Sequence, residues 1–271
     1  MGLRINTNVP ALNAGRILSR SSEALNQSLE RLSSGLRINR AADDAAGLAI
    51  AEGFQSVVRG TQTAQRNAQD GVSLVQTAEG ALSETTSILQ RIRELAVQAA
   101  NGTQSTNNRF AIDGEVQQLL DQIDDIAQDT EFNGIRVLSA AQTVTLQAGA
   151  MTSQTLIIAV GGAKTSELGV SAVRVSTQAT AVSAISTIDN AIKSVTTLRS
   201  SLGAYQNRLE FTINTLAIQE ENSAASESAI RDADIAAETI QFTRNQILVS
   251  AGTSVLAQAN LVPQTALTLL G

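Results

Sequence analysis

"DDAAGLAIAEGFQSVVRGTQTAQRNAQDGVSLVQTAEGALSETTSILQRIRELAVQAA", residues 43–100, decides the fold. Ile50, Phe54, Val57, Thr61, Ala64, Ala68, Gly71, Val75, Ala78, Leu82, Thr85, Leu89, Ile92, Ala96 and Ala99 follow one another by alternating threes and fours. That unbroken heptad spacing predicts one long helix packed nearly parallel to its neighbours. At 1.5 Å per residue it would run roughly 87 Å. Asn101-Gly102 reads as its C-cap and turn. The only prolines are Pro10 and Pro263, so no helix breaker interrupts the long span between them.

Beyond the turn, Ile112, Val116, Leu119, Ile123 and Ile126 continue the period, and the short connection folds this second helix back on the first. "FNGIRVL" (132–138) carries a turn at Asn133-Gly134. The period then changes. "VTLQA" alternates apolar with polar and "TLIIAV" is a compact β-branched run, predicting a β-hairpin near 143–160. From about Thr177 the helical period returns through Ile185, Ile188, Ile192, Val195, Leu202, Leu209, Ile213 and Leu216, with Arg199 and Gln206 intruding. The expected fold class is mainly α: a long antiparallel helical bundle with a small β-hairpin.

The two ends match one another. Leu18, Leu25, Leu29, Leu32 and Leu36 form one stripe; Leu248, Val255, Leu256, Ala259, Val262, Ala266 and Leu269 form the other. Antiparallel pairing of the halves makes the termini a helical coiled coil.

Composition narrows function. Aromatics are 2% of the 271 residues, too few for a thick globular core. The net charge of -6, with only two lysines, speaks against a nucleic-acid partner. There is no Cys for a disulfide or thiolate metal site, and no His. The usual general base and thiol nucleophile are both missing, and no nucleophile elbow or phosphate loop appears, so no enzyme, catalytic residue or cofactor is expected. Asp121, Asp124, Asp125 and Asp129 lack a calcium loop and read as a solvated acidic face, so no metal is expected. Asp43-Asp44 reads as an N-cap, and Gly47, Gly53, Gly60, Gly71 and Gly80 as close-packing sites rather than ligand loops. The start lacks the apolar stretch of a cleaved signal peptide.

"NQILVSAGTSVLAQANLVPQTALTLLG", residues 245–271, contains no charged residue. Gln246, Ser250, Thr253, Ser254, Gln258, Asn260 and Gln264 interrupt it too often for a membrane span. Apolar side chains at both 248 and 249, and at both 255 and 256, point beyond one stripe. Such a tail is expected to be disordered alone, with its N-terminal partner, and helical when several copies surround it.

"ERLSSGLRINRAADDAAGLAIAEGF" (30–54), "NAQDGVSLVQTAEGAL" (67–82), "LQRIRELAVQAANGT" (89–103), "FNGIRVL" and "AGTSVLAQANLVPQTALTLLG" (251–271) closely resemble bacterial flagellin along essentially the whole chain. The resemblance implies a self-polymerising subunit of the extracellular flagellar filament, used for motility. Residues 1–42 and 231–271 would be the paired helices of the inner terminal domain, and 43–230 the rod-like core domain, with no outer variable domain. It implies export without a cleaved signal through the flagellar type III apparatus, with a secretion chaperone and a filament cap protein as partners. It also implies a Toll-like receptor 5 contact at Arg91, Leu95 and Glu115; residue chemistry alone reads Arg91 and Glu115 as solvated charges and Leu95 as an exposed or subunit-contact leucine. Two rival readings share parts of the pattern. A chemoreceptor-like signalling bundle would need a helical tip bearing methylatable Glu pairs, and a hook–filament junction protein would not match through the core.

Overall fold

The computed structural model describes the backbone of residues 7–268 and the side chains of 7–261. Its elements are α1 (Val9–Ser34), α2 (Ala45–Ala100), α3 (Thr106–Asp129), β1 (Glu131–Phe132), β2 (Ile135–Arg136), β3 (Gln142–Gln147), β4 (Thr155–Val160), α4 (Gln178–Arg231) and α5 (Ile235–Thr268). The mainly helical class is as expected from the heptads. The chain separates into two compact units: Met1–Ser56 with Asn222–Gly271, and Val57–Glu221.

In the second unit the heptad spacing is realised almost residue for residue. Every seam position from Thr61 to Ala99 is buried. The first positions of the same pattern behave differently: Ile50 is exposed, Phe54 and Val57 are half-buried, and Ala51 is buried instead. On α3 the buried row is Ile112, Val116, Leu120, Ile123 and Ala127, so Leu120 and Ala127 displace the expected Leu119 and Ile126 to its flank. On α4, Ile188, Val195, Leu202, Leu209 and Leu216 are buried as the spacing requires. Arg199 meets the seam edge at 3.6 Å from Glu79. Together α2, α3 and α4 enclose one aliphatic cluster that also receives Leu156, Ile158 and Val160 of β4.

Local chemistry ends each element. The Asp44 carboxylate accepts from the Gly47 amide at 2.9 Å, capping the start of α2. At the far end Arg109 donates from Nε to the Ala99 carbonyl at 2.8 Å and from Nη2 to the Asn101 carbonyl at 3.0 Å, satisfying carbonyls the helix leaves free. Asn133 (φ 50°) and Gly134 (φ 78°) form the two-residue turn between β1 and β2, a second hairpin. The larger hairpin pairs β3 antiparallel to β4, with Val144 opposite Ile158 and Leu146 opposite Leu156.

Two glycines of α2 seat that hairpin. A Cβ on Gly71 would run into Leu146 Cδ1, and one on Gly60 would lie 2.9 Å from Ala150 Cβ. Asn67 between them donates to the Gln147 carbonyl at 3.1 Å. Gly47 is likewise crowded by Asp44 and Ile38, whereas Gly53 and Gly80 face open space and pack against nothing in the described residues.

Residues 161–177 carry no regular strand or helix yet lie partly in the core through Ala163, Leu168, Val170, Val173 and Val175. The α3 side chains hold them. Asp124 accepts from the Thr165 amide at 2.8 Å and its hydroxyl at 2.7 Å, and Asp113 accepts from the Val175 amide at 2.6 Å. Asp124 is therefore a structural anchor, which corrects its reading as part of a solvated acidic face.

Candidate assembly surface

Helices α1 and α5 pair, and their contact is thin. The α1 seam is Ala11, Ala14, Leu18, Ser21, Leu25, Ser28 and Leu32, again spaced by threes and fours. The serines at 21 and 28 are buried, and small side chains of this kind let two helix backbones approach. On α5 the inward row is Phe242, Asn245, Val249, Gly252, Leu256 and Ala259. A Cβ on Gly252 would sit 3.2 Å from Leu18 Cδ1, so the glycine opens a notch for that leucine.

Both ends of the pair are fastened. Asn8 accepts from the Ala11 amide at 3.1 Å, capping α1, and donates from Nδ2 to the Ala259 carbonyl at 2.8 Å. At the other end Arg31 lies 3.7 Å from Glu238. There α1 stops at Gly35, whose φ of 72° is a left-handed cap. The chain then forms a short antiparallel bridge, Leu36 with Asp232. The Arg37 amide donates to the Arg231 carbonyl at 2.7 Å, and the Ala233 amide to the Gly35 carbonyl at 2.9 Å. Next along the chain, Asp234 accepts from the amides of Ala236 and Ala237 and starts α5. Arg40 lies 2.8 Å from Glu30, and Asp43 accepts from the amides of Asn39 and Arg40. Those two donors lower the Asp43 pKa below the ordinary carboxylate value.

The structure distributes the sequence-selected end residues over both faces. Leu18, Leu25, Leu32, Leu256 and Ala259 lie on the seam, and Leu36 on the bridge. Leu29, Leu248 and Val255 point away and are exposed. The Val262 side chain and all of Leu269 lie outside the described residues. The outer face of α5 is apolar: Ile240, Ile247, Leu248, Val255 and Leu261 are each about half exposed or more. A shallow groove of about 470 Å³ runs along it over Thr239, Ile240, Thr243, Arg244, Ile247 and Leu248. Leu12 and Ile17 continue such surface on α1. No described helix is long and apolar enough to cross a membrane.

The three residues selected as a receptor contact are close together but differ in access. Arg91 donates to Glu115 at 3.0 Å and to Glu94 at 3.2 Å, an exposed network in which both carboxylates raise the guanidinium pKa, Glu115 first. Leu95 is only 2% exposed and belongs to the core, which corrects its reading as an exposed or subunit-contact leucine.

This architecture defines a helical structural protein whose paired ends leave apolar surface uncovered. The bacterial flagellin N-terminal helical region matches residues 5–143, and the bacterial flagellin C-terminal helical region matches 185–270. A flagellin of Halalkalibacterium halodurans is 47% identical over 98% of this chain and 99% of its own length. One of Bacillus subtilis is 41% identical, covering 99% and 100%. A flagellar filament 31.3 kDa core protein of Treponema maltophilum is 43% identical, covering 98% and 99%. A putative flagellar hook-associated protein from Vibrio parahaemolyticus shares the fold at TM-score 0.58 and 13% identity, over 70% of this chain and all of that one. The chain belongs to the bacterial flagellin family. It is a structural subunit of the flagellar filament.

Proposed function

We propose that the chain polymerises through the outer faces of α1 and α5, with residues 1–42 and 231–271 as an inner terminal domain and 43–230 as the rod-like core domain. The observation that supports this is the uncovered aliphatic row of α5, Ile240, Ile247, Leu248 and Val255, on a helix already paired along its other side. A single partner helix covers one stripe; sister copies cover the rest. Head-to-tail contacts of this kind do not close on themselves and so generate a helical filament. The α1–α5 seam is built from Ala, Ser, Gly and a few Leu. The pair accordingly gains its full order only when neighbours enclose it. The role is mechanical, with no enzymatic activity.

Export proceeds without a cleaved signal through the flagellar type III apparatus. A secretion chaperone covers the α5 apolar face in transit, and a cap protein guides insertion. Toll-like receptor 5 contacts the exposed Arg91–Glu115 pair, with Leu95 supporting it from the core.

Purified chain seeded with filament fragments should give fibres by negative-stain microscopy, and a chain lacking 246–271 should stay monomeric. Fibres formed equally well by the truncated chain would remove the ends from the mechanism.

A further inference from the structure

We propose that the turn after α2 is a built site of spontaneous deamidation, converting Asn101 to aspartate and isoaspartate. Asn-Gly occurs at 101–102 and 133–134. In the reaction the backbone nitrogen of Gly102 bonds to Asn101 Cγ. The Cγ–Nδ2 bond breaks, and ammonia leaves with the proton displaced from the Gly102 amide. Water then opens the resulting five-membered imide at either carbonyl, giving Asp or isoAsp. Water is the only co-reactant.

Three features of the turn promote the first step. Asn101 and Gly102 are exposed, and a Cβ at Gly102 would meet nothing within 4 Å, so the nucleophile is open. The Thr103 amide donates to Asn101 Oδ1 at 3.2 Å, which folds the side chain toward the following backbone and draws electron density from Cγ. The third feature is electrostatic. The Asn101 carbonyl belongs to the same peptide group as the attacking nitrogen, and it accepts from the Arg109 guanidinium at 3.0 Å and the Gln104 amide at 3.2 Å. A cation and an amide on that oxygen stabilise the negative charge it gains when the peptide nitrogen loses its proton. Arg109 is fixed there by its second bond, to the Ala99 carbonyl. Asn133 sits in the β1–β2 turn at φ 50°, and among the described residues no guanidinium donates to its carbonyl. It serves as the internal reference.

The product places a carboxylate at the C-terminal end of α2, where the helix dipole disfavours it. The isoaspartyl form also lengthens the main chain by one carbon. Subunits in a long-lived filament would thus carry a record of their age at one turn.

The test incubates the full-length protein in mildly alkaline buffer, native and in urea, and quantifies isoaspartate at both Asn-Gly pairs by peptide mass spectrometry. In the native protein Asn101 should convert faster than Asn133, and urea should bring the two rates together. Arg109→Gln should slow conversion at Asn101 several-fold without changing Asn133, and Asn101→Gln should abolish the signal there. A native ratio equal to that in urea would overturn the proposal without any variant. An Asn101 rate indifferent to Arg109→Gln would also overturn it.

Discussion

Ile247→Ala isolates the assembly surface from the fold. Ile247 is 63% exposed in the single chain and lines the α5 groove. The substitution removes three methyl or methylene groups, each contributing about 0.8 kcal/mol when fully buried. Scaled to the fraction still exposed, the loss on polymerisation is about 1.5 kcal/mol per subunit added. Since about 1.4 kcal/mol is tenfold in an equilibrium constant, the critical concentration for seeded growth should rise about tenfold. The monomer should be affected far less, within about 0.5 kcal/mol, because the site is on its surface. Sedimentation of seeded protein across a concentration series reads the first quantity, and urea melts of unseeded protein read the second. An unchanged critical concentration would place Ile247 outside the filament contacts. A large loss of monomer stability would instead assign it to the subunit's own packing.

Gly60→Ala puts a Cβ 2.9 Å from Ala150 Cβ and 3.3 Å from its Cα, which cannot rotate away, and should destabilise the hairpin unit by about 1–3 kcal/mol in thermal melts, the usual cost of overpacking. Gly80→Ala, with open space at its Cβ, should be neutral or stabilising. The lowered Asp43 pKa means its contribution is present above the ordinary value of 3.8 and is lost as pH falls through the lower folded value. Asp43→Asn should therefore be less stable at neutral pH, and its gap to wild type should shrink on acidification; a constant gap would refute the link. Arg91→Ala should weaken receptor activation by soluble subunits while leaving their melts unchanged. Leu95→Ala should lower stability by about 2–5 kcal/mol, so reduced signalling from that variant is informative only beside its melt.

The long helices were legible because heptad spacing is a property of the chain itself, and Thr61 to Ala99 are buried as counted. The hairpin was legible from its change of period. Register was harder where apolar residues stand side by side. Leu119 and Leu120 both satisfy the α3 pattern, as do Leu248 and Val249, or Val255 and Leu256, on α5. A neighbour makes the choice: on α5, the Gly252 notch that receives Leu18 turns Val249 and Leu256 inward. The order of 161–177 is not legible in the sequence because it comes from α3 carboxylates far off along the chain, which no local period reveals. Leu95 could be placed in the core only once its surroundings were known, since a leucine beside charged residues also fits a surface.

The Leu36–Asp232 bridge acts as a keyway. It fixes the rotational setting of α1 and α5 at the point where both enter their pairing, and a helix turns about 100° per residue. Deleting one residue at the end of α1, before Gly35, would swing its serine and leucine row off α5 and turn Asn13, Arg20, Gln27 and Arg31 into the seam instead. The meshing of the two ends therefore fixes the chain length at this point.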